Sequence, residues 1–267
     1  MKKAWLIALA CLLLGALVLW STFSPPSAPP VPVDADQDVT TATGVGAPPP
    51  QSQVETPTAP PVLANRSEPV IEDLGVTQDR QLAEQNDAQA QMALGERYLT
   101  GNGVPMDEAE ALQWFQRAAR QGNPAAQLKV GQMYESGQGT ERNLERASIW
   151  FTKAAENGDP AAQANLAYMY EFGEGTRSNK AAAYWNEQAA NQGYAAAQMN
   201  LGRMYQNGTG VAQDNVQAYV WYSLAAASGD ANAIRNRDAI SAGLSPEELS
   251  SAKDRLGEWK PKRPAGP

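Results

Sequence analysis

The stretch "YESGQGTERNLERASIWF", Tyr134 to Phe151, decides how this chain is read. It holds a glycine pair, Gly137 and Gly139, followed by a segment of helical character. Glycine-rich turns that open a helix can cradle phosphates, because backbone N–H groups converge there. A phosphate site, however, is normally a single loop. Here the pair occurs as Gly101/Gly103, Gly137/Gly139, Gly173/Gly175 and Gly208/Gly210, at steps of 36, 36 and 35 residues. Four equivalent copies point to architecture rather than to a nucleotide site.

The surroundings recur with the glycines. A tyrosine precedes each pair (Tyr98, Tyr134, Tyr170, Tyr205) and a tryptophan follows it (Trp114, Trp150, Trp185, Trp221). Alanine stands three residues before each tryptophan, at Ala111, Ala147, Ala182 and Ala218. An alanine pair follows it, from Ala118-Ala119 to Ala225-Ala226, and then comes Gly122, Gly158, Gly193 or Gly229.

Spacing supplies the local structure. Asn123-Pro124 and Asp159-Pro160 read as an N-cap followed by the proline that suits the first helical position. The Val130-Gly131-x-x-Tyr134 pattern predicts close approach of a partner helix at Gly131 and burial of Tyr134. Its equivalents are Leu94-Gly95, Leu166-Ala167 and Leu201-Gly202. The glycine pair ends this first helix, because glycine adopts the left-handed C-cap without a Cβ penalty. A second helix begins at Asp107, Asn143, Ser178 and Asp214, all good N-caps. The third repeat is one residue short. Its deletion falls in the loop, so the cap register survives. Alanine around each tryptophan gives a face on which helices pack closely.

This pattern resembles the Sel-one-like repeat family, the slightly longer relative of the tetratricopeptide repeat. The resemblance covers Asp87 to about Gly229. It implies stacked antiparallel helix pairs in a right-handed α-solenoid, and a role in binding other proteins rather than catalysis. Some members are disulfide-rich and secreted; this chain lacks the cysteines, so that property does not carry over.

The ends read as caps. Residues 81–91 match residues 117–127, with Asn86 where Gly122 stands. Asparagine also tolerates the left-handed conformation, so a half-repeat helix is expected before the first full repeat. Past Asp230 a fifth first-type helix is expected, terminated by Gly243. Ser245-Pro246-Glu247-Glu248 then reads as N-cap, first helical position and capping-box glutamate. That assigns Glu247 and Glu248 to the polar exterior a terminal repeat needs rather than to acid–base chemistry.

Ahead of the repeats, Lys2 and Lys3 precede an uncharged run from Ala4 to Trp20 that Ser21, Thr22 and Phe23 extend. A membrane span needs about 20 apolar residues, whereas a secretory signal carries only about 7–15. The run therefore reads as a single transmembrane anchor, with the lysines placing the N-terminus in the cytoplasm. Two alternatives stay open: a cleaved signal, and lipidation at Cys11 after "IALAC". The proline-rich segment that follows has no aromatic residue and no apolar period, so it reads as a disordered, semi-extended tether.

The expected organisation is therefore a cytoplasmic tail (1–3), a transmembrane helix (4–23), a disordered linker (24–70) and a half-repeat cap (71–86). Repeats follow at 87–122, 123–158, 159–193 and 194–229. Capping helices (230–260) and a disordered basic tail (261–267) close the chain.

Composition removes most chemistry. The 267 residues include no histidine, which excludes Ser-His-Asp and Cys-His nucleophiles and histidine-held metals. Cys11 is the one cysteine, which excludes disulfides and cysteine metal sites. A net charge of −8 argues against nucleic acid. No catalytic, cofactor or metal constellation is expected. A periplasmic hydrolase is the least supported alternative.

What varies is one face of the first helices. The trios Ala93/Glu96/Thr100, Lys129/Gln132/Ser136, Asn165/Tyr168/Phe172 and Asn200/Arg203/Asn207 lie at i, i+3 and i+7. Solenoids use such a face for partners. The candidate binding residues are Glu96, Gln132, Asn165, Tyr168, Phe172, Asn200, Arg203 and Asn207. Tyr168, Phe172 and Arg203 are expected to be exposed contacts whose truncation costs binding but little stability. The functional expectation is an inner-membrane scaffold for envelope proteins, facing the periplasm. A spacer bound to peptidoglycan is the alternative. A reporter active only outside the cytoplasm, fused after Pro267, should be active and stay membrane-bound through a salt wash. A soluble, shortened product would identify a cleaved signal. Loss of anchoring in Cys11→Ser would identify lipidation.

Overall fold

A computed structural model describes residues 74–173 and 177–262, so the expected anchor, the whole of the expected linker and the first three residues of the expected cap lie outside the described residues. Among the described residues the secondary structure is entirely helical. The cap helix α1 (Leu74–Glu84) precedes four pairs. These are α2 (Ala88–Thr100) with α3 (Glu108–Arg120), α4 (Pro124–Ser136) with α5 (Leu144–Glu156), α6 (Pro160–Phe172) with α7 (Asn179–Asn191), and α8 (Ala195–Asn207) with α9 (Asn215–Ala226). Helices α10 (Ala231–Ser241) and α11 (Pro246–Glu258) close the domain. Each helix packs on the next through α10, and α11 folds back onto α9. This is a solenoid of paired helices. Among the described residues no helix is long and apolar enough to cross a membrane.

The predicted caps form. The side chains of Asp107, Asn143, Ser178 and Asp214 accept hydrogen bonds from the third residue of α3, α5, α7 and α9 at 2.9, 2.9, 3.2 and 2.9 Å. Asn123 and Asp159 cap α4 and α6 with proline at the first position. Ser245 and Glu248 complete a reciprocal capping box on α11. Helix α8 is the exception: Tyr194 stands at its N-cap and supplies no side-chain bond.

The one-residue deletion is absorbed as its position predicts. The N-cap amides of Asp107, Asn143 and Asp214 donate to the carbonyls of Tyr98, Tyr134 and Tyr205, nine residues earlier. Ser178 makes the same bond to Tyr170 at 2.8 Å across eight residues. Register at the start of α7 thus survives the short loop. Tyr134 is buried, and its ring anchors the turn from inside; burial raises its hydroxyl pKa above the ordinary phenol value, against an opposing hydrogen bond from Gln116.

Left-handed residues end most helices. After the second helices, Gly122, Gly158, Gly193 and Gly229 have φ of 84–89°. Asn86 takes φ 69° at the equivalent place, so the half-repeat ends as the others do. Each first helix was expected to end on a left-handed glycine as well. Gly101, Gly137 and Gly208 do so, but Gly173 caps α6 in an extended conformation, φ −68° and ψ 147°. Gly243 is likewise not left-handed; α10 ends on Ser241 and Ala242 in right-handed geometry.

The second glycine of the pair has a role the sequence reading did not assign. A Cβ on Gly139 would lie 2.3 Å from the Glu108 carbonyl oxygen, and one on Gly210 would lie 2.0 Å from that of Asn179. Those carbonyls belong to the first turn of the preceding repeat's second helix. The first glycine therefore turns the chain, and the second lets it touch the previous repeat.

The glycine inside the first helix faces an aromatic ring. A Cβ on Gly95, Gly131 or Gly202 would lie 2.6–2.7 Å from Phe115, Phe151 or Tyr222, each the residue after the motif tryptophan. The third repeat changes both partners together, carrying Ala167 against Asn186. Adding a methyl group to one helix goes with a smaller side chain on the other. Asn186 is buried; its Nδ2 donates to Met204 Sδ at 3.5 Å, and its Oδ1 has no hydrogen-bond partner.

One recurring amide joins the repeats. Gln91, Gln127, Gln163 and Gln198 are 1–5% exposed. Each Nε2 donates to the carbonyl of Ala83, Ala119, Ala155 or Ala190 near the end of the preceding second-type helix, at 3.0–3.1 Å. The Oε1 of the first three accepts from Gln121, Asn157 and Gln192, just past the following second helix, at 2.8–2.9 Å.

At the far end, Trp259 joins the cluster of Ala189, Ala190, Ala197, Leu201 and Trp221. Pro261 and Lys262, read from sequence as part of a disordered tail, run back to α7, where the Lys262 amide donates to the Asn191 carbonyl at 2.7 Å. Residues 263–267 lie outside the described residues.

The coupled change in the third repeat is testable. Asn186→Phe alone should destabilise by about 1–3 kcal/mol, because the ring meets the Ala167 methyl group. Asn186→Phe with Ala167→Gly should return the melting temperature to at least the wild-type value, because it also removes a buried amide oxygen that lacks a partner. Equal effects of the single and double changes would disprove the pairing.

Candidate interaction surface

None of the twelve trio positions is buried, so the helical spacing selects a face that stays outside the core. Tyr168 is 59% and Phe172 47% exposed. Gln132 and Asn207 are exposed, and Glu96, Asn165, Asn200 and Arg203 are half-buried.

Ion pairs join the first helices of neighbouring repeats. Lys129 on α4 meets Glu96 on α2 at 2.9 Å. Arg203 on α8 donates twice to Glu171 on α6, at 2.7 Å to each carboxylate oxygen. Before the first full repeat, Arg97 on α2 pairs with Asp79 on α1 at 2.7 Å. The Lys129–Glu96 and Arg203–Glu171 pairs set first helices side by side. Tyr168 and Asn200 hold the positions two repeats on from Glu96 and Lys129.

Repeats three and four form the apolar part of the face. The rings of Tyr168 and Phe172 lie one turn apart, with centroids 4.9 Å apart and planes tilted by 45°. The Arg203 guanidinium stands 6.0 Å from the Phe172 ring centroid. The three residues picked out by sequence thus come together. Glu96 and Gln132 belong to other repeats and do not join this cluster.

Arg203 differs from its expectation. Its side chain is 35% exposed but is committed to Glu171, whose side chain is only 7% exposed. Removing one member of such a pair strands the other charge. Arg203 therefore holds the surface together as well as lying on it, and its truncation cannot be nearly free. Glu171 was missed because it follows the motif Tyr170 and lies outside the trios; the same place holds Leu99, Glu135 and Gln206 in the other repeats. The usable signal was a cation at position 203 facing a carboxylate one repeat away.

Chemistry of other kinds has little to work with on this surface. Among the described residues no group of three or more acidic side chains could hold a metal ion. The Gly137/Gly139 turn is filled by its own chain: a Cβ on Gly137 would meet the Arg142 amide nitrogen at 3.2 Å.

The architecture agrees with known proteins. The Sel1 repeat model matches residues 88–123, 124–159, 160–194 and 195–230. A Sel1 repeat protein from Oxalobacter formigenes is 30% identical, with a TM-score of 0.59, over 69% of this chain and 78% of that one. A protective antigen of uropathogenic Escherichia coli strains, described as displaying an SLR fold, is also 30% identical, with a TM-score of 0.44. The match covers 69% of this chain and 48% of the antigen. An immunity protein from Pseudomonas aeruginosa is similar at 21% identity and a TM-score of 0.42, over 69% of this chain and 72% of that one. No curated protein matches the chain. The four tandem matches span more than half of the sequence, and with them the chain belongs to the Sel1 repeat family, whose fold is a non-catalytic protein-interaction module.

Proposed function

We propose that this protein is a membrane-tethered adaptor that holds a protein partner on the first-helix face of its third and fourth repeats, on the periplasmic side of a bacterial inner membrane. The observation that carries the binding role is the exposure of Tyr168 and Phe172, 59% and 47%, in ring contact with each other; among the described residues the other exposed aromatic is Tyr194, at 36%. Adjacent exposed aromatics mark interaction surfaces, because they bury large area at small conformational cost on binding. The tether rests on the sequence: Lys2 and Lys3, the apolar run from Ala4, and the proline-rich stretch before the repeats.

The third repeat's departures support this placement. Proteins break their own local rules chiefly where function requires it. Gly173, Ala167, Asn186 and the short loop all fall in the repeat that carries Tyr168 and Phe172.

The full chain, solubilised from membranes and used as bait on an envelope extract, should retain a reproducible partner. Tyr168→Ala with Phe172→Ser should remove that partner, at a cost of about 2 kcal/mol or more of binding. The melting temperature should barely move, since exposed substitutions cost within about 0.5 kcal/mol. Undiminished capture would reduce the face to a solvated surface. Arg203→Ala should behave differently, lowering stability by about 1–3 kcal/mol through the stranded Glu171 carboxylate, reduced by the partial exposure of Arg203. Stability unchanged in Arg203→Ala would show that the pair contributes nothing to holding α6 and α8 together.

A further inference from the structure

We propose that residues Thr56–Leu63 of this same chain, "TPTAPPVL", dock on the Tyr168–Phe172 surface and cover it until a partner displaces them. The proposal rests on the reading of that surface as the binding face and adds its regulation.

Charge narrows the occupant. Arg203 is the cation beside the aromatic pair, and both oxygens of Glu171 already engage it. A charged ligand would compete with that pair, whereas an uncharged one leaves it intact. The chain as a whole has a net charge of −8, yet Thr56–Leu63 contains no charged residue.

Backbone chemistry fits as well. Pro57, Pro60 and Pro61 fix φ and remove three N–H donors, so the segment offers unpaired carbonyls and flat apolar rings. Aromatic-lined surfaces take such segments, with a nearby side-chain donor bonding the carbonyls. Tyr168 and Phe172 supply the rings. Asn200 holds the place relative to Tyr168 that Lys129 holds relative to Glu96, and its amide carries both a donor and an acceptor.

Reach is sufficient. Leu63 lies eleven residue steps before Leu74, where α1 begins. Extended, those steps span about 36 Å. Packed helices lie about 8–10 Å apart, so three steps, from α1 through α2 and α4, put α6 about 24–30 Å away. The earlier run Pro48–Pro50 reaches too, but Pro57–Pro61 is the proline cluster nearest the domain that can arrive without slack. Attachment to the same chain gives the segment an effective concentration of the order of millimolar, enough to occupy a weak site.

The test uses the full chain with Tyr168→p-benzoylphenylalanine, a photoreactive aromatic. Irradiation should give crosslinks within one molecule that map by mass spectrometry to residues 56–63. Pro57→Ser, Pro60→Ser and Pro61→Ser together should reduce them at least about fivefold. The same triple variant, with Tyr168 intact, should capture its partner about tenfold more tightly, because the competing segment no longer lowers the competent fraction. The probe placed at Gln132, one repeat away, should give few such crosslinks. No crosslink to residues 56–63, crosslinks only between isotopically distinguishable molecules, or crosslinks that ignore the proline changes would each overturn the proposal. Tyr168-dependent capture without self-crosslinking would leave the adaptor reading standing and this one false. Self-crosslinking with capture indifferent to Tyr168→Ala would overturn the adaptor reading of this face, and with it the regulation proposed here.

Discussion

The solenoid depends on a buried amide that only stacking can satisfy. Gln127 lies on a first helix, donates backward to the Ala119 carbonyl and accepts forward from Asn157. A buried amide left unpaired costs about 1–3 kcal/mol. Slide one helix by a residue, and both bonds fail together. The alanine faces allow many close packings, because small side chains carry little directional information. The glutamines choose among them. Gln91 and Gln163 make the same pair of bonds, so the register is set again at each junction instead of drifting. At the fourth repeat the forward partner is missing: Ser228 stands there and bonds the Ala225 carbonyl instead. The regular stack ends where its connecting bond does.

Against that regularity, the third repeat is where the molecule differs from its own rule. Its glycine is Ala167, its ring is Asn186, its first helix ends on an extended Gly173, and its tryptophan is only half-buried. A layer that has given up a buried ring has less to lose when it moves. Local opening free energies in a protein run from near zero up to the global value, and binding elements come from the low end. The Glu171–Arg203 pair offsets part of this by tying α6 to α8 on the outside. The third repeat thus exchanges internal packing for a surface link to its neighbour.

Much of this was legible because repetition multiplies weak signals. One asparagine before a proline is a poor guide to a helix start; the same position filled by Asp87, Asn123, Asp159 and Asp230 is a good one, and all four cap. Asn86 was readable as a glycine substitute because its alignment with Gly122 was exact in register. The glutamines were visible as letters at the same spacing, but their role was hidden, since a polar residue reads by default as exposed and only tertiary packing closes the cavity around it. The function of Gly139 and Gly210 was hidden for a related reason: what they avoid is a carbonyl some thirty residues earlier. The aromatic pair was legible as an exception to the pattern. Arg203 was only half legible, because a sequence shows a charge and not the opposite charge it has already found.

The return of the last described residues onto α7 makes the two ends of the stack mechanically unequal. Helix α1 packs on α2 and can peel away alone, as the end unit of a one-dimensional array does. The other end is stitched across two layers: α11 lies on α9, Trp259 reaches the Leu201 and Trp221 cluster, and Lys262 bonds Asn191. Unzipping from that side must release the fourth repeat and part of the third in one event. Tension that enters through the N-terminal segment is applied at the soft end, so the first repeats give way while the aromatic face, close to the stitched end, keeps its shape.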